Sequence, residues 1–214
     1  MTIKSYNKVH NLLFKHSMKR LILLLCLIVI GLSYTFTYIS NRVTKFDLPE
    51  GELKWSKTQP KNAKMCIPAA FTDKNGDIVG LYRIYGKTYQ HSKMRMKVSL
   101  KENIFYISHN WMSDNGFQQL TLVCDSKPMK FKDSRRAMRR ALCKNNDVAF
   151  ILESNYPMTL TSFAYYCSKY CTNAAYLDMG EFGYGYIKNG IFKRHLYIWG
   201  LFTKHKQTNW LYIE

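Results

Sequence analysis

The run Asp147-Val-Ala-Phe-Ile-Leu-Glu153, followed by Met158-Thr-Leu-Thr-Ser-Phe-Ala-Tyr-Tyr-Cys-Ser-Lys-Tyr170, decides the fold of this chain. The first run is apolar and rich in β-branched and aromatic residues, which predicts a strand. The second has apolar side chains at helical spacing and Thr159 as a candidate N-cap, which predicts a helix. Ala174-Ala-Tyr-Leu-Asp178 then predicts a short buried strand, so this region is expected to run strand, helix, strand.

Further strand signals surround this region on both sides. Asn75-Gly76 and Asn189-Gly190 are typical of tight hairpin turns. Residues 94–100 alternate apolar and polar side chains, and residues 118–124 and 209–213 suit further strands. Residues 134–143 suit either a helix or a strand. The pattern predicts an α+β fold with a mostly antiparallel twisted sheet and a few packed helices.

A basic N-terminus precedes one long apolar segment. The first twenty residues carry five cations and no acid: Lys4, Lys8, Lys15, Lys19 and Arg20. Residues 21–32 are uninterrupted by polar side chains, and tolerable residues extend the run to about Ile39. A span of roughly 20 apolar residues is what a bilayer core requires. Positive charge before the span predicts a cytoplasmic N-terminus and a single-pass membrane protein.

Two fates remain open for the apolar segment. Gly31-x-Ser33 suits signal cleavage, which would leave the protein secreted. The aromatic residues Tyr34, Phe36 and Tyr38 favour an uncleaved anchor, since such rings lie at the membrane interface. We therefore expect a basic cytoplasmic N-terminus at 1–20, a transmembrane signal-anchor at 21–40, a linker at 41–61 and an extracytoplasmic domain at 62–214. The chain contains Met18 as a second candidate start.

The charge of the chain indicates anionic partners. Its 32 Lys and Arg residues against 14 acids give a formal net charge of +18. Such a balance favours an acidic or phosphorylated glycan or lipid headgroups, while an exported domain is not expected to meet nucleic acid. A cluster of arginines at positions 135, 136, 139 and 140 suits a solvated face that attracts such anions. A compositional bias of the genome would give the same excess.

Cysteine and histidine usage predicts no cofactor. Five cysteines follow Cys26, so an odd count lies in the expected domain. Cys167-x-x-x-Cys171 spans one helical turn, but no second Cys or His pair has the spacing of a zinc finger. Buried, inert cysteines are therefore expected, with no metal ion and no cofactor.

Three segments together resemble the phosphodiester glycosidase family. Ala175-Tyr-Leu-Asp-Met-Gly180 resembles that family's strand ending in Asn-Leu-Asp-Gly-Gly-Gly-Ser. Arg140-Ala-Leu-Cys143 resembles its Arg-containing strand, and Cys66-Ile-Pro-Ala-Ala-Phe71 resembles its early Asn-Gly-x-Phe segment. The resemblance covers roughly residues 65–190. It departs from the family at Met179 to Gly183, which replaces the Gly-Gly-Gly-Ser stretch, and at Pro68 and Ala69, which replace the Asn-Gly pair.

The resemblance implies a site for hydrolysis of a glycosidic phosphodiester. Asp178 and Glu181 are the candidate catalytic carboxyl groups, because glycoside cleavage uses carboxyl groups as acid, base or nucleophile. Arg140 is the candidate contact to the anion, because its planar fork suits phosphate and carboxylate. The alternative is a non-catalytic relative that binds glycan or envelope components, and an ordinary turn cap is the competing role for Asp178.

Two further expectations attach to this site. Gly180, Gly183 and Gly185 would let backbone N–H groups approach an anion. Asp178 and Arg140 are expected on neighbouring strands with their charged ends in one pocket, because sequential elements usually lie side by side.

Overall fold

The computed structural model describes residues 22–26, 42–73, 75–90, 97–101, 104–108, 110–179, 185–189, 192–196 and 209–214. Contacts divide the chain into two units, Met1–Arg42 and Val43–Glu214. In the first unit, residues 22–26 form a helical stretch, α1, with exposed side chains. Within the described ranges, no helix is long and apolar enough to cross a membrane. Most of the span expected at 21–40 lies outside the described residues.

The described part of the second unit contains sixteen strands and one helix. In chain order they are β1 (Val43–Asp47), β2 (Leu53–Ser56), β3 (Met65–Pro68), β4 (Leu81–Ile84), β5 (Lys87–Gln90), β6 (Lys97–Lys101), β7 (Ile104–Ser108), β8 (Gly116–Gln118), β9 (Thr121–Cys124), β10 (Lys127–Pro128), β11 (Arg140–Asn145), β12 (Val148–Ser154), α2 (Leu160–Cys167), β13 (Asn173–Leu177), β14 (Tyr186–Asn189), β15 (Phe192–His195) and β16 (Trp210–Ile213).

These strands form three antiparallel sheets. The first has the order β1-β12-β11-β13-β9-β10, the second β15-β14-β3-β16-β2 and the third β5-β4-β8-β6-β7. Every strand pair in them is antiparallel. The prediction of a mostly antiparallel α+β fold is therefore confirmed for this unit.

The helix α2 begins where the sequence predicts. The Thr159 side chain accepts a hydrogen bond from the backbone N–H of Ser162 at 3.1 Å, so Thr159 is the N-cap. The helix buries Leu160, Phe163 and Cys167 on one side. This apolar stripe packs over the first sheet, since these side chains share a core cluster with sheet residues.

Apolar layers pack on both faces of the first sheet at its strand β11. We call these two faces the inner face and the outer face. On the inner face, Leu142 of β11 and Ile151 of β12 share a core cluster with residues of the other two sheets. On the outer face, Ala141 and Leu152 share a core cluster with α2. This follows from the period-two alternation of side chains along a strand.

Residues 41–61, expected as a linker, contribute two strands of the second unit. β1 pairs with β12, and β2 pairs with β16. Phe46 and Trp55 are both buried in the inner core cluster. The prolines and the glycine of this segment predicted a linker. Its strands instead carry apolar side chains, whose surface is buried in the core rather than left in water.

Candidate functional site

The three segments that carry the family resemblance lie together in the structure. The backbone N–H of Asp178 donates to the carbonyl oxygen of Ala69 at 2.9 Å. Leu177, the residue before Asp178, lies directly opposite Arg140 across the β11–β13 ladder. The ring of Phe71 lies 5.2 Å from that of Tyr176. Residues about 110 positions apart in the sequence are therefore neighbours around the end of β13.

Buried polar groups fix the Ala69–Ala70 segment beside Asp178. Asn209 accepts a hydrogen bond from the N–H of Ala70 at 2.6 Å and donates to its carbonyl oxygen at 3.0 Å. The indole N–H of Trp55 also donates to Asn209, at 3.3 Å. The side-chain amide of Gln119 donates to the carbonyl oxygen of Ala69 at 3.4 Å. The Ala69–Ala70 segment follows β3, where the strand pairing ends, and these hydrogen bonds satisfy its backbone N–H and carbonyl groups. They also fix the carbonyl oxygen of Ala69 that accepts from the N–H of Asp178.

Arg140 lies on the inner face and is fully buried. Its Nε–H donates to a carboxylate oxygen of Glu153, which is also buried and lies directly opposite it in the β11–β12 ladder. The pair brings one charge of each sign into the interior, which is tolerated only when the charges are paired. The role of Arg140 as a contact to a substrate anion remains a prediction, and its burial against Glu153 favours a supporting role.

Gly185 lies directly against the guanidinium of Arg140. A Cβ atom added at Gly185 would lie 3.1 and 3.2 Å from the two Nη atoms and 2.8 Å from Cγ2 of Ile67. The backbone at Gly185 has a φ of +158°. The lack of a side chain lets the chain pass this close to a buried arginine, while the approach of backbone N–H groups to an anion stays a prediction. Gly180, Glu181 and Gly183 lie outside the described residues.

Arg139, the residue before β11, lies on the outer face and is also buried. Its guanidinium donates to the carbonyl oxygens of Met158 at 3.1 Å and Arg135 at 2.7 Å, and to the phenol oxygen of Tyr176 at 3.3 Å. The carboxylate of Asp133 is farther away, at 3.9 Å. Two members of the arginine cluster are therefore interior side chains, while Arg135 and Arg136 are exposed as the sequence suggested.

The charge of Asp178 affects the pKa of Tyr176, which lies beside Arg139 on the outer face. Burial raises the pKa of the Tyr176 phenol, the charges of Arg139 and Arg135 lower it, and the Asp178 carboxylate raises it further. Asp178 is half-buried and directly follows β13, and its effect on the Tyr176 phenol groups it with the outer-face residues. We call Arg135, Arg139, Tyr176 and Asp178 the outer-face cluster.

Three cysteines cluster where α2 packs against the first sheet. Cys143, Cys167 and Cys171 are buried, and all three are free thiols. Burial raises the pKa of Cys143 well above its usual value, and hydrogen bonds with Cys167 and Cys171 raise it further. Among the described residues, no group of three His, Cys, Asp or Glu side chains could hold a metal ion.

Sequence reasoning missed two residues of this region. Glu153 was interpreted only as the end of a strand, and Tyr176 as part of an apolar run. A carboxylate in the last positions of a strand that is otherwise apolar was the available signal for Glu153, because a buried acid needs a cation. No protein-family model and no curated protein matches this chain.

Proposed function

We propose that the Val43–Glu214 unit hydrolyses a glycosidic phosphodiester or a related acidic glycan at the site around Asp178. The proposal rests on the resemblance to the phosphodiester glycosidase family. One observation supports it: the three resembling segments meet around Asp178, through the hydrogen bond to Ala69 and the register between Leu177 and Arg140. Segments that are far apart in the chain and together in space are what a shared site requires.

The chemistry assigned to Asp178 follows from its place. It directly follows β13 and its side chain is half-buried, so a ligand that approaches this end of the strand would meet it. In hydrolysis, water adds across the bond between the anomeric carbon and the phosphate oxygen. Asp178 then serves as acid, base or nucleophile, with Glu181 as the expected second carboxyl group.

The cations of this region are assigned different tasks. Arg135 is exposed and close enough to Tyr176 to affect its pKa, so it is placed to attract the phosphate of a substrate. Arg140, which is paired with Glu153, packs against the backbone at Gly185 and so has a structural task. Gly180 and Gly183 are expected to present backbone N–H groups to the anion.

The alternative function is non-catalytic binding of a glycan or of envelope components. It is favoured by Met179, which is buried at a position where the family's loop has a glycine. A buried side chain there changes the loop that would approach the phosphate. Under this alternative, Asp178 and Arg135 would orient a ligand without cleaving it.

The localisation belongs to the same proposal. Residues 21–40 would anchor the chain in the membrane, with the Val43–Glu214 unit outside the cytoplasm, or release it if the signal is cleaved. Protease treatment of intact cells and of lysed cells tests this topology. Protection of the unit in intact cells with a permeable outer layer would contradict it.

Turnover of fluorogenic sugar phosphodiesters by the purified full chain tests the activity. We expect release of the fluorophore from at least one member, and its loss in Asp178→Asn. Asp147→Asn is the matched control, since its side chain is 84% exposed in the turn between β11 and β12. Binding without turnover would favour the alternative, and neither binding nor turnover would contradict both functions.

A further inference from the structure

A polar cleft lies between β2 and the turn that joins β4 to β5. Its volume is about 520 Å³, within the range of small-molecule sites. One wall comes from β2 and the neighbouring strand β16, including Trp55 and Tyr212. The other comes from Ile84 at the end of β4, Tyr85 of the turn, and Asn115. Among the described residues, Asp178, Arg135 and Arg140 do not line this cleft, whereas Trp55, which also bonds to Asn209, does.

Tyr85 is held at the mouth of the cleft in an unfavourable backbone conformation. Its φ is +48°, which non-glycine residues rarely adopt, and its side chain is 87% exposed. The ring therefore gains almost no burial that would offset the backbone strain. An aromatic side chain presented to water in this way is unexplained by packing, and strained residues concentrate at binding sites.

A set of hydrogen bonds fixes the turn that carries Tyr85. The N–H of Tyr85 donates to the side-chain oxygen of Asn115 at 3.2 Å, and the N–H of Gly86 donates to the carbonyl oxygen of Asp114 at 3.0 Å. Arg83 donates to the carbonyl oxygens of Gly86 at 2.9 Å and Ser113 at 3.2 Å. The ring is consequently presented on a rigid support, which lowers the entropy lost when a ligand binds.

The opposite wall offers hydrogen-bonding groups with balanced charge. Lys54 forms ion pairs with Glu214 at 2.9 Å and with Glu52 at 3.7 Å. Lys57 lies over the ring of Tyr82, with its Nζ 5.3 Å from the ring centroid. Two lysines and one glutamate line the cleft, and the carboxylate of Glu214 beside it pairs with one of the lysines, so the charges balance locally in a chain with a net charge of +18. The wall therefore suits a ligand that is polar but uncharged.

We infer that this cleft binds a neutral oligosaccharide, with one sugar ring stacked on Tyr85 and its hydroxyl groups bonded to the polar wall. A sugar ring has an apolar face of polarised C–H groups, which the negative face of an aromatic ring attracts. Its hydroxyl groups both donate and accept, so they can bond to the phenol of Tyr212, to the lysines as donors and to the carboxylates as acceptors. The inference stands independently of the proposed hydrolysis, because Asp178 and Arg135, which are assigned to the reaction, do not line the cleft.

Calorimetric titration of the full chain tests the inference, in a detergent without a sugar headgroup. The probes are cellotetraose, maltotetraose and tetra-N-acetylchitotetraose, with tetragalacturonate as the acidic comparison. We expect at least one neutral probe to bind with a dissociation constant below about 1 mM, equivalent to roughly −4 kcal/mol. The Tyr85→Asn variant should weaken it at least about tenfold, since stacked aromatic contacts contribute on this scale.

Tyr85→Asn is the informative variant because asparagine tolerates the left-handed backbone conformation while removing the ring. Tyr165→Ser is the matched control, since Tyr165 is 53% exposed on α2 and lines no part of this cleft. The control should leave affinity unchanged. Three results would overturn the inference: no neutral probe binds up to about 10 mM, Tyr85→Asn binds as the parent does, or tetragalacturonate alone binds.

Discussion

Arg139 and Arg140 are adjacent in the chain, equally buried, and held in two different ways. Arg140, on the inner face, is paired with the carboxylate of Glu153. Arg139, on the outer face, is held by two carbonyl oxygens and the phenol of Tyr176, with the nearest carboxylate oxygen of Asp133 at 3.9 Å. The first arginine faces a buried carboxylate directly, whereas the second is held mainly by neutral oxygens and by a longer ion pair to the exposed Asp133.

Under the proposed function, the inner face contributes stability and the outer face carries the chemistry. A neutralised pair contributes little field to a ligand, and removing one member leaves a buried charge alone. An arginine bound to neutral oxygens keeps its field, which acts on Tyr176 and on approaching anions. We therefore expect substitutions on the inner face to reduce stability, and a substitution of Asp178 to reduce function.

The largest effect is expected from Glu153→Gln. The substitution removes the carboxylate that faces the buried Arg140 across the ladder, so the free energy of unfolding should fall by about 3–5 kcal/mol. Urea unfolding of the full chain in detergent measures this. The double variant Arg140→Met with Glu153→Leu should lose much less, because both charges are gone. Equal losses of unfolding free energy in the single and double variants would contradict the view that each of these charges is tolerated in the core because the other is present.

The next effect concerns the contact of Gly185 with the same arginine. In Gly185→Ala the new methyl group would meet Ile67 and the guanidinium of Arg140, which the ion pair holds in place. Overpacking of this kind costs about 1–3 kcal/mol of unfolding free energy. The same urea experiment measures it. An unchanged urea midpoint would show that side chains on the inner face rearrange at little cost in free energy. It would weaken the contrast between the two faces.

A smaller loss is expected on the outer face from Tyr176→Phe. This removes the phenol oxygen that accepts from Arg139 at 3.3 Å, while the two carbonyl acceptors remain. A single hydrogen bond to a charged donor contributes about 1–3 kcal/mol, and we expect the lower end because the arginine stays bound. Tyr165→Phe, on the exposed side of α2, is the control. A loss as large as that of Glu153→Gln would remove the distinction between the two arginines.

The smallest effect is a pH dependence at Cys143 on the outer face. Burial raises the pKa of this thiol above its usual value of 9.0. Above pH 9 the unfolded chain releases the proton while the folded chain retains it, so stability present at lower pH is lost as the pH rises. Relative to Cys143→Ala, the parent should lose under about 1 kcal/mol between pH 8 and 9.5. Parallel pH profiles for the two proteins would indicate that Cys143 titrates normally in the fold.

Local patterns were enough to predict some elements of the second unit. The apolar run of β12 and the capped, periodic run of α2 gave their positions because both signals lie within a few residues. The inclusion of residues 43–56 in the sheets was not predictable in this way. Val43 pairs with Ser154, more than a hundred residues away, and no local pattern contains that partner.

The candidate site was predictable only in part, for the same reason. The sequence placed Asp178 and Arg140 on neighbouring strands, which agrees with the register of Leu177 opposite Arg140. The pairing of Arg140 with Glu153 depends on which residues of β11 and β12 face each other, and a shift of one residue would separate them. The expected common pocket disagrees with the structure, because Arg140 is buried on the inner face while Asp178 lies near the outer-face residue Tyr176. The roles of Gly180, Glu181 and Gly183 stay predictions.

The most direct test compares turnover by two variants on whichever sugar phosphodiester the parent chain hydrolyses. Asp178→Asn removes the outer carboxylate, whereas Arg140→Met with Glu153→Leu removes the inner pair. We predict that Asp178→Asn lowers kcat at least about a hundredfold, the scale of a lost acid or base, with unchanged unfolding free energy. The double variant should stay within about tenfold of the parent. Full activity in Asp178→Asn, or a greater loss in the double variant while it remains folded, would contradict the assignment of chemistry to the outer face.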